Sequence, residues 1–155
     1  YMDNKEKDYA RLIAAQNESA RRLKIKGINN TLSEEYKKSY LCALIYEYKH
    51  EYKNAAQHFL HAFWITREKT KACTDLLNKV IDNLKHYLES NMDIPAAIMM
   101  IDCMRQMSSF EEAEETAASL TGYLVNEYDK KLVDYELTLI RKSDSKPHSQ
   151  SEVEL

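Results

Sequence analysis

Residues 39–67 read SYLCALIYEYKHEYKNAAQHFLHAFWITR, and their alternation of small and aromatic side chains decides the fold. Ala43, Ala55 and Ala62 stand at helical spacings, with Tyr46, Tyr52 and Phe59 beside them. Alanine at a crossing point lets two helix axes approach to about 8–10 Å. Large rings then fill the space flanking each close contact. One helix is expected to carry Leu41, Leu44, Ile45 and Tyr48 and to end near His50-Glu51. A second is expected from Tyr52 to about Arg67, with Ala55, Ala56, Phe59, Ala62 and Phe63 on one face.

Working outward, the segment from Asn4 to Lys26 repeats Tyr9, Leu12, Ile13, Gln16, Ala20 and Leu23 at helical spacing. Cationic residues and Gly27 close it, as suits a helix C-terminus. Thr31-Leu32-Ser33-Glu34 reads as a capping box for the helix before His50. Downstream, a helix is expected from about Thr70 to Glu89, with Cys73, Leu76, Leu77, Val80, Leu84 and Leu88 aligned. Asp93 then caps a helix that has Pro95 in its first turn, where a missing N–H costs nothing. Ser109-Phe110-Glu111-Glu112 reads as another capping box. From Ala113 to Leu139 the apolar stripe stays in phase across Gly122, so residues 110–142 are expected to form one long capping helix, with two helices broken near Gly122 or Asn126 as the alternative. Residues 143–155 are polar and are expected to be a disordered tail, leaving 1–142 as one α-helical domain.

The fold class is therefore all-α. The two glycines, Gly27 and Gly122, are too few for a sheet protein or a phosphate-binding loop. No run of about 18 apolar residues is present, so no membrane span is expected. The chain begins Tyr1-Met2, which suits an excerpt of a longer protein. Cys42, Cys73 and Cys103 lie in apolar helical patterns, which suggests buried thiols in the reducing cytoplasm. Charge is uneven: residues 1–71 hold 14 Lys and Arg against 9 Asp and Glu, and residues 72–155 hold 8 against 16. Such a split can steer a charged partner or favour self-association, although solvated helix faces explain it as simply.

The hairpin over residues 39–67 resembles a tetratricopeptide repeat. Ala43, Tyr46, Tyr52, Ala55, Phe59 and Ala62 fall on that family's small and aromatic positions. Ser39 stands at its leading tryptophan position, Cys42 at a leucine and Arg67 at the closing proline. A weaker copy runs through Leu84, Leu88, Ile94, Ala97 and Ile101. Its 42-residue offset from Ala55 to Ala97 departs from the family's period of about 34. The resemblance implies a short, irregular array of stacked hairpins whose first helices line a groove for a peptide or helix of a partner protein. On this chain Lys37, Tyr40, Leu44 and Glu47 would face that groove. The family's carboxylate-clamp positions fall on Tyr40 and Leu44, so acidic C-terminal tails are not expected as ligands.

Candidates for chemistry are weak. Glu47-Tyr48-Lys49-His50 has the Glu-x-x-His spacing of di-iron bundles but no second copy. His58 and His61 could offer two zinc ligands, without a Cys-x-x-Cys to complete the set. Buried cysteines are inert. Met99, Met100, Met104 and Met107 read as core filling. Arg21, Arg22, Lys24, Lys26, Lys69 and Lys71 accompany no nucleic-acid motif. The expectation is a non-catalytic interaction or scaffold module without metal or cofactor. The alternative is an oligomerisation or structural segment using the long last helix.

Overall fold

The computed structural model describes Arg11 and residues 34–66 and 71–148. The expected helix over 4–26, its Gly27 stop, the Thr31 capping box and residues 149–155 fall outside these, apart from Arg11, which is helical. Among the described residues every regular element is a helix: α1 Glu34–Tyr48, α2 Tyr52–Thr66, α3 Lys71–Leu88, α4 Ile94–Gln106, α5 Phe110–Leu120 and α6 Glu127–Arg141. A single 3-10 turn, Thr121–Tyr123, follows α5. No helix there is long and apolar enough to cross a membrane. The chain divides into two compact units between Leu76 and Leu77, inside α3.

In the first unit α1 packs along α2. The pairings run in opposite directions along the two helices, so the hairpin is antiparallel: Glu35 meets His61, Tyr40 meets Phe59 and Tyr46 meets His58. Ala43, Ala55, Ala56, Phe59 and Ala62 are all fully buried. Small residues thus lie at the helix contact with Phe59 filling the space between. The turn is a Schellman motif: Glu51 N–H donates to the Tyr46 carbonyl and His50 N–H to that of Glu47. His50 takes the left-handed position, φ 60°, usually given to glycine.

In the second unit α4 packs on both α5 and α6, which also touch each other. Asp93 caps α4 as expected, its carboxylate accepting from Ala96 N–H at 3.1 Å, with Pro95 in the first turn. Ser109 occupies the N-cap of α5, but its hydroxyl makes no capping hydrogen bond. Glu112 instead pairs with Lys85 at 2.7 Å, so the capping box is not formed. Two further Schellman turns end α4 and α6, with left-handed Ser108 and Ser143.

The expected single helix over 110–142 is two helices. After the 3-10 turn Leu124 is extended, and Asn126 starts α6 by accepting from the Tyr128 N–H at 2.7 Å. A side-chain cap satisfies amides that a break would otherwise orphan. The in-phase residues at the break are poorly buried: Leu124 is half-buried and Tyr128 exposed. Little packing therefore opposes the interruption. After α6, Arg105 binds the backbone carbonyls of Asp144 and Lys146.

Candidate functional site

Lys37, Tyr40, Leu44 and Glu47 lie at i, i+3, i+7 and i+10 on α1 and share one face. All four are half-buried. Tyr40 serves the hairpin: its ring stacks on Tyr36 at 6.1 Å and meets Phe59 edge-on at 5.8 Å. Lys37 Nζ reaches Glu34 at 3.5 Å, an exposed pairing worth little. Burial pushes the Tyr36 phenol up from its ordinary value, with Tyr40 and Cys73 adding to it, so Tyr36 stays neutral. Exposed residues of α1 include Glu34, Glu35, Lys38 and the large ring of Tyr48.

The two histidines of α2 do not converge. The His58 ring stacks on Tyr46 at 5.2 Å, and His61 Nε2 lies 3.1 Å from Glu35. His50 meets the Tyr52 hydroxyl at 2.6 Å rather than joining Glu47 at a metal site. Among the described residues no group of three or more His, Cys, Asp or Glu is placed to hold a metal ion. Met100 and Met104 are buried in the core, where Met104 Sδ accepts from the Thr116 hydroxyl at 3.7 Å.

A charge network that the sequence reading missed lies in the second unit. Arg105 on α4 is completely buried. Its Nε donates to Glu136 on α6 at 2.8 Å and its Nη2 to Asp102 at 2.7 Å. Its Nη1 donates to the backbone carbonyls of Asp144 and Lys146, at 2.8 and 2.7 Å. Asp102 also accepts from Gln106 Nε2 at 2.8 Å. Two carboxyl groups thus share one guanidinium. Burial pushes Glu136 up to about 7, reinforced by Asp102 and opposed by Arg105, so Glu136 holds a proton to higher pH than a solvated glutamate does. Burial, with the charges of Asp102 and Glu136, holds the Cys103 thiol well above its usual range and makes it a poor nucleophile.

The sequence signal for this network was available. Asp102 interrupts the apolar run Ala97–Met104, Arg105 follows it directly, and Glu136 sits among Leu132, Val133, Leu139 and Ile140. A charge inside an apolar stripe needs a buried partner. Beside α5, Ser108, Ser109, Phe110, Glu111, Glu112 and Glu115 line an open depression of about 600 Å³. Its acidic residues suit the helix N-terminus without any ligand. Comparisons with protein-family models, curated proteins and solved structures find no match to this chain.

Proposed function

We propose that the chain is a non-catalytic protein–protein interaction module built on a tetratricopeptide-like hairpin. The reading rests on the close nesting of α1 and α2 through the buried alanines Ala43, Ala55 and Ala62, with Phe59 between. In this reading a peptide or helix of a partner protein lies along the Lys37, Tyr40, Leu44 and Glu47 face. Tyrosine and leucine supply apolar contact and the two charges set register. Three cysteines outside any disulfide, two of them buried, suit a reducing compartment such as the cytoplasm. The assembly reading loses its motive, because the stripe over 110–142 is split and Leu120, Leu132, Val133, Leu139 and Ile140 are spent inside the second unit.

Affinity capture from cell extract tests the reading. Lys37→Glu with Glu47→Lys reverses both charges while leaving the buried hairpin contacts alone. Proteins retained by the wild type should fall tenfold or more. They should stay at wild-type level with the control Glu89→Lys, an exposed change in the second unit. Equal recovery by both variants would remove this face from the binding site.

A further inference from the structure

The segment after α6 is held by an unusual device. Arg105 Nη1 grips two carbonyls two residues apart, those of Asp144 and Lys146. The segment adds its own fastening, with His148 Nε2 2.9 Å from Asp144 and its ring edge-on to Tyr135 at 6.2 Å. The guanidinium that grips the segment is the one shared by Asp102 and Glu136. We propose that residues 142–148 are a latch on α4 that is closed at mildly acidic pH and loosens as the pH rises to neutrality.

The groups facing Glu136 can be named element by element. From α4 they are Asp102, Arg105 and the neutral Cys103. From α5 the buried side chains are Ala113, Ala117 and Leu120, none of which titrates. From the latch itself come Asp144, whose backbone carbonyl accepts from Arg105, and His148, which lies against the Asp144 carboxylate. Under the closed latch Glu136 keeps its proton up to about 7, against 4.5 for a solvated glutamate. Lifting the segment frees two donors of Arg105 and admits water to the carboxyl pair, which favours the charged form. In that range the closed form holds more protons than the open form, by at most one. Each pH unit therefore favours opening by up to about tenfold, and above about 7 the dependence flattens. His148 Nε2 lies 2.9 Å from the Asp144 carboxylate. The Lys146 amide, and then His148, hold that carboxyl below its ordinary value.

Hydrogen exchange of the whole chain, normalised to the intrinsic rate at each pH, reads the latch directly. The amides of Ser143, Asp144 and Lys146 all donate hydrogen bonds in the closed form. Their protection should fall by up to about tenfold per unit from pH 5 to 7 and then level off. Buried amides of α4 should hold their protection. Glu136→Gln imitates the protonated acid and should remove most of the fall, whereas His148→Gln should keep it. Protection that ignores pH in the wild type would overturn the proposal. So would an undiminished fall in Glu136→Gln, loss of the fall in His148→Gln, or a parallel fall in α4.

Discussion

Arg105→Ala should cost about 3–5 kcal/mol, the largest loss from any single side chain in the second unit. The arginine is fully buried and makes four hydrogen bonds, to Glu136, Asp102 and the carbonyls of Asp144 and Lys146. Truncation strands the buried Glu136 carboxyl and releases the two backbone carbonyls after α6, and a buried acceptor without a donor loses its full desolvation energy. The loss is about the cost of breaking the network and is larger than its net worth. Arg105→Met combined with Glu136→Met should therefore be less damaging than Arg105→Ala alone, because apolar replacement of both partners leaves fewer stranded charges. Asp102 remains partly exposed and can turn to water. Urea unfolding followed by backbone NMR signals of α4 and α6 measures both variants. Equal or greater loss in the double variant would mean that the ionic network itself stabilises the unit.

Phe59→Ala should destabilise the first unit by about 3–5 kcal/mol. Its ring is fully buried between helices held close by alanine contacts. The neighbouring small residues have no side chain with which to fill the hole, so the cavity should persist. Tyr40 would also lose its edge-on partner. Phe59→Leu should cost less, since much of the volume survives. Trp64 is the only tryptophan and lies on α2, so its fluorescence during denaturant unfolding reports on this unit alone. A loss under about 1 kcal/mol would mean that the hairpin relaxes around the void and that Phe59 is not its keystone.

Helix existence and the alanine contacts were legible in the sequence because they follow from periodicity and side-chain size. Asp93 with Pro95 was legible because a cap and a first-turn proline are local signals. The ends of α1, α4 and α6 were harder, since His50, Ser108 and Ser143 take left-handed positions that glycine normally announces. The break between α5 and α6 was legible only as an alternative near Gly122 or Asn126, because apolar residues stay in phase across it and periodicity does not register whether Leu124 is buried. The fastening of residues 143–148 could not be read from their polar composition, since Arg105 binds their carbonyls rather than their side chains. Lys37, Tyr40, Leu44 and Glu47 were legible as one face, but not the share of Tyr40 that the hairpin already uses.

Recognition of another protein through the Lys37, Tyr40, Leu44 and Glu47 face of the hairpin is the function proposed for this chain. The most direct measurement places a photoreactive benzoylphenylalanine at position 37 and irradiates the full chain in cells, with the same residue at position 89 as reference. A covalent adduct to a distinct partner protein from position 37, absent from position 89, is the expected result. Adducts that are missing or identical at the two positions would contradict it.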